Sequence, residues 1–110
     1  VAAKMLSHIG HQVAVAEEGG MAVEMYRNAG NSGRPFDVVI LDLTIKGGMG
    51  GREALEKMIE INPGVKAIVS SGYSNDPVLS DFKKFGFRGM VAKPYRMEDL
   101  KQILSRVIRE

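Results

Sequence analysis

The sequence predicts an α/β protein with one doubly wound parallel sheet that is covered by helices on both faces. Segments with strand and helix patterns alternate along the 110 residues, and the connections between them are short. Two strand segments, 37–41 (DVVIL) and 65–70 (VKAIVS), are rich in β-branched apolar residues, which is typical of strands buried on both faces. Strands that alternate with helices are joined by right-handed crossovers and therefore lie parallel.

The first third of the chain predicts two helices with a strand between them. An amphipathic helix opens the chain and ends at Gly10, because the apolar residues before it share one helical stripe: Val1, Met5, Leu6 and Ile9. The segment 12–17 (QVAVAE) is expected to form a short strand, followed by a turn at 18–20. A second helix follows, since apolar residues recur at helical spacing between Met21 and Ala29.

Helices and strands alternate through the rest of the chain in the same way. A loop rich in Gly, Asn, Ser and Pro leads to the strand 37–41, and a glycine-rich stretch at 47–51 leads from it to the next helix. The inward positions of that helix, which ends before Pro63, are Ala54, Leu55, Met58 and Ile59. The strand 65–70 comes next.

The last third predicts a helix, a strand and a final helix. Asp76 is expected to cap a helix that has Pro77 in its first position, buries Val78, Phe82 and Phe85, and ends at Gly86. The last strand is 89–92 (GMVA), and the last helix runs over 97–108. Because no internal repeat or linker interrupts this order, the sequence predicts a single domain over 1–110.

Composition and charge exclude several classes of protein. There is no cysteine, so neither a disulfide framework nor a thiolate metal site is possible. No apolar run approaches the ~18 residues that cross a bilayer, and no secretory signal is present, so we expect a cytoplasmic protein without membrane insertion. The net charge of +2 is too small to indicate nucleic-acid binding.

The charge is nevertheless unevenly distributed along the chain. Residues 1–82 carry 7 basic and 10 acidic side chains, whereas residues 83–110 carry 8 basic and 3 acidic ones. The basic excess is either a solvated face of the last helix or a docking surface for an acidic partner.

Polar residues follow three of the predicted strands: Asp42, Ser71 and Lys93. Ligands of open parallel sheets bind beyond the carboxyl ends of the strands, so a carboxylate, a hydroxyl and an ammonium are expected to converge at one edge. This set suits phosphoryl transfer, because a carboxylate can form an aspartyl-phosphate while cations and donors, Mg²⁺ among them, stabilise the phosphoryl oxygens. The simpler alternative is that these residues only cap solvated strand ends.

The stretches 37–55 (DVVILDLTIKGGMGGREAL), 67–77 (AIVSSGYSNDP) and 89–95 (GMVAKPY) resemble the receiver domain of response regulators, including chemotaxis regulators. The sequence is most similar to the receivers of hybrid sensor histidine kinases, and the similarity covers essentially the whole chain. It implies the flavodoxin-like (βα)5 receiver fold. It also implies a signalling domain of a two-component phosphorelay, which takes a phosphoryl group onto its own aspartate and is not an enzyme with turnover.

The resemblance assigns roles to individual residues. It implies that Asp42 is the phosphoacceptor and a ligand of Mg²⁺, and that Thr44 binds the metal through its backbone carbonyl. It also implies that Ser71 is a switch hydroxyl, that Lys93 pairs with the phosphoryl group, and that the bond between Lys93 and Pro94 is cis. The phosphodonor would be a sensor histidine kinase or a phosphotransfer domain, and an effector protein would read the 77–110 face.

The sequence departs from the family pattern in several places. It starts after the first strand and its acidic pair of metal ligands, so we expect the native chain to extend upstream by about a dozen residues. Met90 stands where the family has an aromatic switch residue, and Lys46 stands where it has proline. Tyr73 and Tyr95 flank the predicted edge, where they either tune access or are ordinary surface residues.

The sequence therefore favours a phosphoacceptor receiver domain, either alone or as part of a hybrid kinase. The alternative is a pseudo-receiver, an interaction module that keeps the fold without using phosphate; the missing acidic pair favours this alternative. A third hypothesis is a domain of similar architecture that binds a small molecule or a flavin.

Overall fold

The computed structural model describes residues 2–12, 14–16, 18–43, 50–72 and 81–110. The helices are α1 (Ala2–Ile9), α2 (Gly19–Asn31), α3 (Gly51–Ile61) and α4 (Met97–Arg109), and a 3-10 helix spans Phe82–Phe85. The strands are β1 (Val39–Asp42), β2 (Ala67–Ser71) and β3 (Gly89–Ala92). Within the described ranges, no helix has the length and apolar character that a membrane crossing requires.

The three strands form one parallel sheet in the order β1-β2-β3. Val39 to Asp42 of β1 pair in register with Ala67 to Ser70 of β2, and β2 pairs with β3 up to Ser71 and Ala92. The connection from β1 to β2 contains α3, as a parallel crossover requires. The α/β class and the parallel sheet predicted from the sequence are confirmed.

The sheet separates two apolar clusters, because successive residues of a strand point to opposite faces. In β2, Val69 belongs to one cluster and Ile68 to the other. The first cluster joins the sheet to α2 and α3, and its fully buried helix residues are Ala54, Leu55 and Met58. The second joins the sheet to α4, with α1 supplying half-buried side chains at its margin. Both faces are covered, as a doubly wound sheet requires.

Two glycines predicted to end helices do so with a left-handed backbone, which is strained for residues with a Cβ atom. At the end of α1, Gly10 has a φ of +109°. Its N–H donates to the carbonyl of Ser7, and the N–H of His11 donates to the carbonyl of Leu6, both at 3.0 Å. These are the two bonds of a Schellman cap. Gly86, with a φ of +99°, ends the 3-10 helix in the same manner.

The predicted strand at 12–17 is wrong for the residues of this segment that the structure describes. Residues 12 and 14–16 lie outside any strand, and Val15 is 66% exposed. The alternating pattern reports only a preference for extended backbone, whereas a strand also needs a neighbour for its backbone hydrogen bonds. Among the described strands, none pairs with this segment.

The prediction for the segment before β3 is partly wrong. Phe82 and Phe85 lie in a 3-10 helix and are only half-buried against the first cluster. The predicted start of that helix, from Asp76 to Val78, lies outside the described residues. Strand ends also shift, since Asp42 and Ser71 are the last residues of β1 and β2 and do not follow them.

Candidate functional site

The carboxyl ends of the three strands meet along one side of the sheet, which we call the carboxyl edge. Asp42 ends β1, Ser71 ends β2 and Lys93 directly follows β3. Backbone hydrogen bonds continue to this edge, with Leu43 N–H donating to the carbonyl of Ser70 (2.8 Å) and Lys93 N–H donating to the carbonyl of Ser71 (2.9 Å). The sheet therefore fixes the backbone of all three polar residues.

Asp42 and Lys93 contact each other at the carboxyl edge. Lys93 Nζ forms an ion pair with Asp42 Oδ2. The side chain of Asp42 is 18% exposed and that of Lys93 is 36% exposed, so the pair is partly buried but open to solvent. The carboxylate is thus accessible to a reacting group and already has a cation beside it, which is the arrangement that an anionic electrophile needs.

The ion pair raises the pKa of Lys93 above its ordinary value of 10.5. The hydrogen bond to Asp42 is the largest cause, and partial burial opposes it by disfavouring the charged ammonium. The charges of Asp42 and Tyr95 raise the pKa further. Lys93 is therefore protonated at neutral pH, and its positive charge is always available beside Asp42.

Two serines at the end of β2 are fully buried, Ser70 and Ser71. As consecutive strand residues they face opposite sides of the sheet. Ser70 lies opposite Asp42 in the register of β1 and β2, and its Oγ shares a hydrogen bond with the hydroxyl of Tyr95. Ser70 was not predicted from the sequence. Ser70 could have been found as a hydroxyl within an apolar strand, because a buried hydroxyl needs a hydrogen-bond partner.

The other residues predicted for the site lie in the core, in the segment after β3, or outside the described residues. Met90 lies in β3 opposite Val69 and is half-buried against the first cluster, so it is part of the core below the carboxyl edge. The bond between Lys93 and Pro94 is cis, as the resemblance implied. Thr44 and Tyr73 lie outside the described residues.

Asp42 is the carboxylate that could hold a cation at this edge. Among the described residues, no group of three or more acidic, His or Cys side chains is arranged to hold a metal ion. Mg²⁺ usually keeps several waters and binds proteins through one or two carboxylates. Asp42 therefore fits a largely hydrated Mg²⁺. The ion would compete with the ammonium of Lys93 for the carboxylate of Asp42.

Comparison with known proteins identifies the family. The family model described as the response regulator receiver domain matches residues 1–105 of the sequence. The chain therefore belongs to the response regulator receiver family. The chemotaxis protein CheY of Thermotoga maritima is 28% identical over 104 residues, which are 94% of this chain and 82% of CheY. The sensor histidine kinase AruS of Pseudomonas aeruginosa is 27% identical over 97% of this chain.

The chain spans only a small part of some relatives. It covers 10% of AruS and 34% of the transcriptional regulatory protein ComA of Bacillus subtilis, to which it is 26% identical. Among solved structures, the receiver domain of the sensor histidine kinase PA1611 of P. aeruginosa has a TM-score of 0.83 at 21% identity, with 99% of this chain and 86% of that one covered. A CheY-like receiver of Methanospirillum hungatei has a TM-score of 0.80 at 24% identity, with 96% and 80% covered. Both support the fold.

Proposed function

We propose that this receiver domain accepts a phosphoryl group on Asp42 and thereby changes a surface that a partner protein recognises. The observation that carries the proposal is the contact between Asp42 and the ammonium of Lys93 at the carboxyl edge. Some of the relatives are sensor kinases or phosphotransferases, AruS and sporulation initiation phosphotransferase F of B. subtilis among them. The phosphodonor is accordingly a phosphohistidine of a sensor histidine kinase or a phosphotransfer domain.

The chemistry follows from the side chains at the edge. An oxygen of Asp42 attacks the phosphorus atom, the P–N bond of the phosphohistidine breaks, and the imidazole leaves with the electron pair. Negative charge on the three phosphoryl oxygens has to be neutralised during transfer. Lys93 reaches one oxygen from its present position beside Asp42, and the hydroxyl of Ser71 donates to a second.

Mg²⁺ fits the remaining part of the site. Asp42 would hold it together with the backbone carbonyl of Thr44 and water. When bound, the ion would neutralise charge on the transferred group and keep its oxygens oriented. The receiver of PA1611 was solved with magnesium coordinated in its active site cleft. A cation beside Asp42 would also weaken the ion pair with Lys93 and free the ammonium for the phosphoryl group.

The recognised surface is the 77–110 face. Addition of a doubly charged group beside Lys93 draws Ser71 towards it, and the chain that follows β2 must adjust. Met90 lies in the neighbouring strand at the margin of the first cluster, and an unbranched side chain there can repack as the chain moves. The basic excess of residues 83–110 favours an acidic effector.

The proposal is tested by incubation of the full-length protein with acetyl phosphate and Mg²⁺, followed by intact-mass analysis. The expected result is the mass gain of one phosphoryl group, lost on treatment with base and absent in Asp42→Asn. Asp37→Asn, which changes an exposed aspartate outside the site, is the matched control and should be modified like the wild type.

A pseudo-receiver is the second candidate function. It is favoured by the finding that, among the described residues, no three acidic, His or Cys side chains are grouped to hold a metal ion. An unmodified wild-type protein in the same assay, with a partner still bound through the 77–110 face, would establish this candidate and exclude phosphoryl transfer.

A further inference from the structure

The segment that carries Lys93 is attached to β2 at two points. The N–H of Lys93 donates to the carbonyl of Ser71 at 2.9 Å. Two residues later, the hydroxyl of Tyr95 hydrogen-bonds with Oγ of Ser70. Because the two attachment points are consecutive residues of one strand, the backbone of Lys93 cannot shift relative to β2 without the loss of one of these bonds.

Both ends of the bond between Tyr95 and Ser70 are held by packing. Ser70 is fully buried in the middle strand, between Asp42 of β1 and Val91 of β3. The ring of Tyr95 is partly buried against the second cluster, below α1 and α4. A buried serine and a partly buried phenol each need a hydrogen-bond partner, and here each satisfies the other.

Ser70 also connects the two members of the ion pair. It lies opposite Asp42 in the strand register, and through Tyr95 it fixes the segment that begins at Lys93. One position of β2 thus sets the place of the carboxylate on one side and of the ammonium on the other. Through their shared hydrogen bond, both residues act on the segment that carries Lys93.

We propose that Tyr95 and Ser70 are positioning residues whose hydrogen bond holds the ammonium of Lys93 against Asp42. The proposal rests on the proposed function, in which Lys93 stabilises the transferred phosphoryl group. It adds a requirement that the sequence pattern does not contain: a hydroxyl at both position 70 and position 95.

The test compares Tyr95→Phe, Ser70→Ala and the double variant in the full-length protein. Each single variant should slow phosphorylation of Asp42 by acetyl phosphate by about 3- to 10-fold, the range that corresponds to one hydrogen bond. The double variant should be slowed by a similar factor and not by the product, because both changes remove the same bond. The NMR signals of the Lys93 ε-methylene group should shift in all three variants before any phosphodonor is added.

Thermal unfolding separates positioning from stability. Tyr95→Phe leaves the buried hydroxyl of Ser70 without its partner, so its midpoint should fall, and the double variant should recover much of that loss. The phosphorylation rate and the Lys93 signals should not recover with it. A rate that returns to the wild-type value in the double variant would overturn the proposal, since the bond would then act through stability alone.

Tyr26→Phe is the matched control. It removes a tyrosine hydroxyl that accepts a hydrogen bond from Asn62 Nδ2 at 3.1 Å on the opposite side of the sheet. It should leave the rate and the Lys93 signals unchanged. If Tyr95→Phe does not fold, Ser70→Ala tests the same bond, because water can reach the partly exposed phenol. If the wild type takes no phosphoryl group, the proposed function fails, and the Lys93 signals alone decide: unchanged signals reject the positioning role, and shifted signals support it.

Discussion

Gly89 of β3 lies so close to Ile103 of α4 that a Cβ atom at position 89 would be 2.6 Å from Ile103 Cδ1 and 3.0 Å from its Cγ1. The second cluster therefore depends on a glycine in the strand that leads to Lys93. We expect Gly89→Ala to destabilise the protein by about 1–3 kcal/mol, because both Cδ1 and Cγ1 of Ile103 would have to move within the second cluster. Chemical denaturation measures the change.

The control for this prediction is Gly30→Ala. Gly30 lies within α2, and no atom lies within 4 Å of a Cβ atom built there. This substitution should stabilise the protein by up to about 1 kcal/mol through helix propensity. Adding Ile103→Val to Gly89→Ala removes the closest clashing atom and should restore part of the loss; purely additive effects would contradict the steric explanation.

The ion pair predicts a pKa change. Asp42→Asn should lower the pKa of Lys93 towards its ordinary value of 10.5, since the carboxylate is the main cause of the increase. A group with a raised folded pKa contributes stability below its unfolded pKa, and this contribution is lost as the pH rises through the folded value. The substitution should therefore cost no more than about 1 kcal/mol at neutral pH, given the exposure of the pair, and nothing at high pH.

NMR titration of the Lys93 ε-methylene group measures that shift directly. Asp37→Asn is the control, because Asp37 is exposed and has no part in the causes of the Lys93 shift. An unchanged pKa in Asp42→Asn would mean that the two side chains do not pair in solution.

The first cluster predicts a large difference between two methionines. Met58 of α3 is fully buried, whereas Met21 of α2 is 46% exposed. Met58→Ala should cost about 2–5 kcal/mol, because it removes buried apolar surface and leaves a cavity. Met21→Ala should change the free energy of unfolding by less than about 0.5 kcal/mol. Similar losses at the two positions would be inconsistent with the packing described.

The start of α3 is linked to the 3-10 helix by a cation–π contact. The guanidinium carbon of Arg52 lies 4.2 Å from the centroid of the Phe85 ring. A double-mutant cycle with Arg52→Met and Phe85→Leu should give a coupling of about 0.5–1 kcal/mol, because Arg52 is exposed. The same cycle with Lys57→Met, which changes an exposed cation further along α3, should give a coupling near zero.

Sequence patterns correctly predicted those strands and helix ends that depend on neighbouring residues in the chain alone. The apolar runs around Ile40 and Ile68 gave β1 and β2, and Gly10 and Gly86 end helices because their left-handed backbone is a property of the residue itself. The strand predicted at 12–17 was wrong for its described residues, because a strand depends on a neighbouring strand that no local sequence pattern supplies. The 3-10 helix at Phe82–Phe85 was not predicted, because the spacing of apolar residues does not distinguish a 3-10 helix from an α-helix over so few residues.

The arrangement of the candidate site, like the fold, was predictable only in part. The contact between Asp42 and Lys93 was predictable from their positions along the chain, because parallel strands bring their carboxyl ends to one edge. The partnership of Ser70 and Tyr95 was not found, because 25 residues separate them and only the tertiary structure brings the phenol to the serine. A polar residue in a buried strand shows that a partner exists but does not show which one it is.

The ion pair joins two residues that are nearly half the chain apart, at the carboxyl ends of β1 and β3, which do not pair with each other. A nascent chain that has not reached β3 carries the acidic side chain without its cation, and so does any chain in which β3 has detached. Formation of the pair thus reports completed tertiary structure, and its absence marks a molecule in which β3 is not yet in place.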